Sequence, residues 1–364
     1  MIALHALAFI AGLALVGLVL FSAVVTVVLP RGESVALTRV IFIGWRIVFV
    51  FFAKRARTWR TEDRIMSFFA PIALLTLPFA WLVLVLLGYT AMFWALGGVA
   101  LRGAFIEAGS LFTFAFQTPP GIPQTILSYS EAALGLGLVA LLISYLPSLY
   151  SAFSRREQLV TLLETRAGNP PSVVQMLRRF FTIHGLDQLG PQFALWEQWF
   201  ADVEETHTSN AALVNFRSPL PNRNWLTSAG AVLDSASFAA STLDQPREPR
   251  AELCIRAGYL CLRRIAHTFG IAFRMDPAPT DPISVTREEY DAVYDQLAAE
   301  GLPLRQDRAQ AWRDFAGWRV NYDDVLVPLA RLIRAPEAPW SSDRDMYPVP
   351  RVPIVRRRHP RARA

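Results

Sequence analysis

The chain has 364 residues, of which 53% are hydrophobic and only 18% charged, an apolar share above the about 45–50% of ordinary soluble domains. Its net charge of +6 comes from basic residues spread among acidic ones, with Lys54 the only lysine among 36 basic side chains. That arginine usage suits a GC-rich bacterial genome, and no basic patch with interleaved aromatics marks a nucleic-acid surface.

The apolar excess sits at one end: apart from His5, residues 1–30 carry no acidic or basic side chain, whereas residues 155–364 have ordinary globular composition. The first segment, Leu4 to Leu29, is long enough to span a bilayer with tilt. A cleaved signal peptide would need a basic n-region and an apolar core of about 7–15 residues, so an uncleaved helix is expected. The second segment, Val35 to Ala53, is shorter and carries Arg39 and Arg46. An arginine near mid-bilayer costs about 2.5–3.5 kcal/mol on insertion scales. Arg46 therefore needs a partner or a wet cavity, and an interfacial helix is the alternative.

The third stretch, Ile65 to Leu96, exceeds one span, and Pro71 and Pro78 are expected to kink it. The fourth runs from Ile126 to Phe153, and residues 99–124 between them are too polar and too broken by Gly and Pro to cross. Basic residues cluster after the second segment, from Lys54 to Arg60 and at Arg64, and after the fourth, at Arg155 and Arg156. The loops at Arg31 and Arg102 are sparse in charge. Four crossings with both termini cytoplasmic satisfy the positive-inside rule.

Residues 99–112 predict a short helix of about 20 Å, and Thr113 to Pro123 then lead into the fourth span. Half-helix, extended segment, return and helix is the order of a re-entrant pore loop; a plain extracellular loop is the alternative. Along the fourth span Ser144, Ser148 and Ser151 stand at i, i+4 and i+7, one face of a helix, with Gly137 and Ala140 on much the same stripe. Such a face suits a pore wall or, equally, a close helix contact. Gly135, Gly137 and Pro147 are bending points.

Residues 65–156 resemble the pore module of bacterial potassium channels. Gly109-Ser110-Leu111-Phe112-Thr113 looks like the end of their pore helix, and Ser130-Glu131-Ala132-Ala133-Leu134-Gly135 resembles the start of their inner helix. The resemblance implies a homotetramer that passes inorganic cations, potassium among them. One alignment places the filter on Thr113-Phe114-Ala115-Phe116-Gln117-Thr118, and another on Phe116 to Gly121. Neither keeps the two glycines of the family's Thr-Val-Gly-Tyr-Gly-Asp. Left-handed backbone costs a non-glycine residue about 1–2 kcal/mol, and Pro119 and Pro120 remove two amide donors. Potassium selectivity is therefore not carried over.

Glu131 and Arg46 are expected to form an intramembrane pair, relieving both insertion costs. Two arginines seven apart fall short of a voltage sensor. Glu107, near Arg102 in the predicted pore helix, would attract cations at a pore mouth, bond Arg102 or face water.

From Leu159 the pattern is helical, with candidates at 155–166, 171–184, 190–207, 222–243, 248–269, 286–300 and 306–334, the last interrupted by Pro328. Thr286 and Glu289 make a capping box. Glu204-Glu205-Thr206-His207 carries one Glu-x-x-His, half of a di-iron pattern, and reads as a solvated helix end. Asp323 and Asp324 near Arg319 and Arg331 read as a salt-bridged face. Trp196, Trp199 and Phe200 read as core, as do Cys254 and His267. Cys254 and Cys261 lie seven apart on one predicted helix, about 10.5 Å and too far for a disulfide within it; reduced cysteines suit a cytoplasmic compartment. No cofactor or zinc spacing is present. The tail from Pro348 holds six arginines, four prolines and no acid; disorder is expected, with attraction to anionic lipid of about 1 kcal/mol per arginine or simple solvation as its fate.

The expected fold is all-α: a polytopic membrane bundle of four spans with a re-entrant pore loop, plus a C-terminal cytoplasmic helical domain. The parts are residues 1–64 with two spans and a basic loop, 65–156 the pore module, 157–345 the helical domain and 346–364 the tail. The function expected is an oligomeric cation channel in the cell membrane. The alternative is a non-conducting anchor for a cytoplasmic signalling or scaffold domain. No paired carboxylates, His cluster or nucleophile–base set in the spans suggests an enzyme.

Overall fold

A computed structural model describes residues 2–27, 36–97, 99–112, 121–344 and 346–347. It is 78% helix, with no strand among the described residues. Twelve α-helices follow in order: α1 (Ile2–Val27), α2 (Ala36–Ala53), α3 (Trp59–Ser67), α4 (Phe69–Leu96), α5 (Leu101–Phe112), α6 (Ile122–Ala167), α7 (Val173–Thr182), α8 (Leu189–Ser209), α9 (Trp225–Thr242), α10 (Pro249–Thr268), α11 (Arg287–Ala299) and α12 (Arg308–Ile333). Four helical stretches are long and apolar enough to cross a membrane: α1, α2, α3 with α4, and α6. The chain has the helices of a membrane protein.

Two compact units divide the chain. The first takes residues up to Val50 and Phe68–Tyr150; the second takes Phe51–Ser67 and the chain from Ser151 onward. The basic loop after α2 thus belongs with the C-terminal helices.

In the first unit α1 packs along α4. Their backbones approach so closely that a Cβ on Gly12 would lie 2.5 Å from the Gly88 carbonyl oxygen, and one on Gly88 2.7 Å from Val16. Small residues let helices approach this way where lipid offers no hydrophobic driving force. Val16, Val19, Leu77, Trp81, Val85 and Phe93 fill the core around this crossing. The buried Trp81 indole donates to Ser22 Oγ at 3.2 Å, satisfying a polar atom that lipid could not. Helix α5 lays Ala104 and Ala108 against the same core. Helix α2 meets α4 through Trp45 Nε1 donating to Thr76 Oγ1 at 3.0 Å and through Phe42 and Phe49 against Phe69.

Pro71 lies in the first turn of α4, where an amide has no intrahelical partner. Pro78 and Pro147 sit inside α4 and α6, and Pro328 inside an uninterrupted α12. The expected helix at 155–166 is not a separate element: α6 runs 46 residues without a break, about 69 Å at 1.5 Å per residue.

In the second unit α9 is the central helix, buried at every position from Trp225 to Phe238. A helix enclosed all round needs small side chains, and Gly230, Ser235 and Ala236 supply them. Gly258 of α10 meets α9 so closely that a Cβ would stand 2.4 Å from Leu233 Cδ2. Trp196, Trp199 and Phe200 are core, as expected, and Phe238, Tyr290, Phe315 and Trp340 form an aromatic layer. Thr286 and Glu289 close the capping box with backbone bonds of 3.2 and 2.8 Å.

Gly88→Val would drive two methyls into α1. Overpacking of this kind costs about 1–3 kcal/mol, so the variant is expected to melt several degrees below the wild-type protein in detergent, read by intrinsic fluorescence, while Gly44→Val, which meets nothing within 4 Å, leaves the melting point unchanged.

Candidate functional site

The site expected from the sequence lies between α5 and α6 in the chain. Thr113, Phe114, Ala115, Phe116, Gln117 and Thr118 lie outside the described residues, as do Arg31 and the tail from Pro348. On either side stand α5 and α6, the helix–gap–helix order of the sequence.

Helix α6 has two distinct faces. One turns inward: Leu127, Glu131, Leu134 and Leu138 recur at helical spacing and face the core of the first unit. The other carries Ser144, Ser148 and Ser151, all exposed. Ser144 donates to the carbonyls of Ala140 and Leu141 at 3.1 and 2.9 Å, and Ser148 to Tyr145 at 2.7 Å. Ser151 accepts from Arg155 Nη1 at 3.1 Å. A Cβ on Gly137, on the same stripe, would meet nothing within 4 Å. So, among the described residues, this small polar face makes no close helix contact.

Glu131 is only 1% exposed, yet neither carboxylate oxygen accepts a hydrogen bond among the described residues. The expected Arg46–Glu131 pair is therefore not hydrogen-bonded. The reason is placement: Glu131 faces α4 and α5, whereas Arg46 lies on α2, a helix whose only fully buried residue is Ala53.

The second unit holds a junction that the sequence reading missed. Helix α3 docks on the C-terminal helices through three polar anchors. Arg217 pairs with Asp63, and its Nη2 donates at 2.9 Å to the carbonyls of Ile333 and Arg334, at the end of α12. Arg334, held at φ +53° where α12 stops, pairs with Glu62. Trp59 Nε1 donates to the Pro221 carbonyl at 3.2 Å, with the Arg217 guanidinium 5.6 Å from its ring. The available signal was the Glu62-Asp63 pair amid a basic loop; its partners lie more than 150 residues away.

Deeper in this unit, two arginines have no exposed side-chain surface. Arg156 donates to Glu157 Oε1 at 2.8 and 2.9 Å, to the carbonyls of Leu213 and Phe216 at 2.8 Å each, and to His207 Nε2 at 3.1 Å. His207 is thus the correction to the solvated helix end: it is fully buried, while Glu204 of the same turn pairs with Arg264. Thr206 Oγ1 donates to the Asp202 carbonyl at 2.6 Å and so accepts from His207 Nδ1 at 3.0 Å. Burial, then the Arg156 charge, push His207 well below its ordinary 6.5.

Arg319 joins Asp234, Asp323 at 2.9 Å and the Trp340 carbonyl. Burial alone would lower this arginine, but the two aspartates hold it above its ordinary value. The Asp323 partnership expected of a surface face is therefore a core one. Tyr322 donates to Asp234 at 2.8 Å, and Ser284 and Tyr347 to Asp323 at 2.6 and 3.0 Å. These bonds tie Trp340 and Tyr347 to the core. Cys254 and Cys261 are buried and free, with burial raising both thiols, while His267 is exposed rather than core. No group of three His, Cys, Asp or Glu that could hold a metal occurs among the described residues.

Compared with protein-family models, curated proteins and solved structures, the chain matches none of them.

Two predictions follow the geometry. Arg217→Ala removes the only hydrogen bond described for Asp63 and two carbonyl caps, and breaking a buried pair in this way is expected to cost on the order of 3 kcal/mol in denaturant unfolding of the full chain. For His207, whose folded form resists protonation, the unfolded state binds more protons as pH falls below 6.5. Stability should be full above that pH and decline below it by up to about 1.4 kcal/mol per pH unit. His207→Gln, which keeps an acceptor for Arg156, should flatten that part of the curve when melting is followed against pH.

Proposed function

We propose that this chain is one subunit of an oligomeric pore-loop cation channel whose C-terminal helical unit acts on the pore from the cytoplasmic side. The observation that carries the reading is the docking of α3. Residues 51–67 and the chain from Ser151 onward build one unit, so both stand on the same side of a membrane. Helix α4 leaves that side and α6 returns to it. Residues 97–121 then begin and end at the opposite face, which is what a re-entrant loop requires. Basic residues from Lys54 to Arg60 and at Arg155 and Arg156 put the common side in the cytoplasm. The serine face of α6, open within one chain, is the wall that four copies would turn toward a shared axis, and Thr113 to Thr118 would form the narrowest part.

The same geometry supplies a route for regulation. Helix α3 is tied to α12 by Arg217 and Arg334 and passes through Phe68 directly into α4. The filter stretch without the family's glycines favours a second reading, a non-conducting anchor for that unit.

Current across a planar bilayer with potassium on one side and sodium on the other separates the two. A pore is expected to conduct, to lose most of its current in Ser148→Trp, and to reverse near zero potential if selectivity has gone with the glycines. Native mass spectrometry should report a tetramer. A stable monomer in both detergent and nanodiscs would sink the channel reading.

A further inference from the structure

The segment after α2 concentrates charge that the chain itself does not use. Between Lys54 and Arg64 stand five bases, Lys54, Arg55, Arg57, Arg60 and Arg64, and two acids, Glu62 and Asp63. The docking of α3 sorts the two signs. Asp63 is buried against Arg217 and Glu62 pairs with Arg334, so both acids turn toward the C-terminal helices. All five bases are exposed, and among the described residues none of them forms an ion pair. Arg60 and Arg64 stand at i and i+4 on one face of α3, where like charges oppose each other. An anion from outside the chain would relieve that repulsion.

The backbone holds these cations in a fixed array. The Arg55 and Ala56 amides donate to the Phe52 and Ala53 carbonyls at 3.0 Å each, and the Thr61 amide donates to Thr58 Oγ1 at 3.3 Å where α3 begins. Arg55 Nη1 donates to the Phe51 carbonyl at 3.0 Å, and its guanidinium lies 3.5 Å from the centre of the Phe51 ring. Phe51 and Phe52, in the last turn of α2, are both exposed. Exposed rings followed at once by cations is the order of an apolar helix leaving a bilayer: rings at the acyl boundary, charged heads among the phosphates.

Other anionic partners fit less well. Single-stranded nucleic acid calls for rings offered among the cations, but Trp59, the aromatic within this run, is half-buried and gives its indole proton to the Pro221 carbonyl. An acidic protein would compete with the headgroups of the leaflet that α2 leaves, which chain connection sets beside Lys54, the residue after α2.

We propose that Lys54, Arg55, Arg57, Arg60 and Arg64 form a docking surface for anionic phospholipid headgroups of the leaflet from which α2 emerges. The inference rests on α2 meeting a membrane and not on conduction, so it holds for an anchor as well as a channel. Headgroup binding and the docking of α3 favour the same orientation of this segment, acids inward and bases outward.

The test uses the purified full chain in nanodiscs of phosphatidylcholine, alone or mixed with phosphatidylglycerol. Phenylglyoxal modifies accessible guanidinium groups, and peptide mass spectrometry maps the labelled positions. Arg57, Arg60 and Arg64 are expected to label about fivefold more slowly in the anionic nanodisc, the factor that corresponds to the attraction of one base to an anionic surface. That protection should fade as salt is raised, while Arg256 and Arg313, exposed on α10 and α12, label alike in both. Phosphatidylglycerol should also raise the melting temperature. The double variant Arg60→Gln, Arg64→Gln is expected to lose part of that rise, whereas Arg256→Gln, Arg313→Gln keeps it. Melting in phosphatidylcholine alone checks that each variant folds. Equal labelling of Arg57, Arg60 and Arg64 in the two nanodiscs overturns the proposal. So does protection by soluble polyglutamate or inorganic phosphate, in phosphatidylcholine, that equals the protection by phosphatidylglycerol. Neither readout requires current, so its failure is distinct from failure of the channel reading.

Discussion

Arg217 holds three parts of the second unit together. Its guanidinium pairs with Asp63 of α3, takes the last carbonyls of α12 and lies against Trp59. A helix end leaves carbonyls without intrahelical partners, and a buried end must find donors elsewhere. Arginine suits the role because its planar fork presents several donors at fixed angles and never loses its charge. Without this side chain the end of α12 would lose two donors and Asp63 its described hydrogen bond, leaving α3 to its Trp59 and Glu62 contacts. With it, a short segment between the apolar helices α2 and α4 becomes part of the C-terminal fold.

The two guanidinium groups of the second unit with no exposed side-chain surface, those of Arg156 and Arg319, are each surrounded by acceptors. Arg156 draws on a carboxylate, two carbonyls and a neutral imidazole; Arg319 draws on two aspartates and a carbonyl. Such networks add little net stability over an apolar core, yet removing one member leaves an uncompensated charge. Each also joins distant stretches of chain. Arg156 links α6 to the end of α8 and the turn after it, and Arg319 links α9, α12 and the segment after α12.

The first unit packs differently. Its helices come together over small residues, Gly12 on Gly88 and Ala104 with Ala108 where α5 joins the core, because packing rather than water exclusion drives association there. Within such a dry arrangement a polar side chain is conspicuous. Trp81 and Trp45 find hydroxyl partners, while Glu131 accepts no hydrogen bond among the described residues. Its other face, with Ser144, Ser148 and Ser151 bonded to their own helix or to Arg155 but open outward, is suited to face neighbours that a single chain does not contain.

The sequence by itself determined the all-helical class, the four apolar segments and nearly all helix limits in the C-terminal part, since these rest on local signals: runs of apolar residues, helical spacing, proline and a capping box. It also determined that Trp196, Trp199 and Phe200 belong to a core. Tertiary structure alone decided what the polar residues do. His207 looked like a solvated helix end because its own turn is polar, yet Arg156, 51 positions earlier, buries it. Asp63, which nothing in its own segment singles out, is met by Arg217 across 154 positions. The Arg46–Glu131 pair failed as a hydrogen bond because pairing depends on which faces helices turn to one another, and periodicity within one helix carries no information about the partner helix. Hydrophobic pattern is a property of a segment, whereas the partner of a buried charge is a property of the packing.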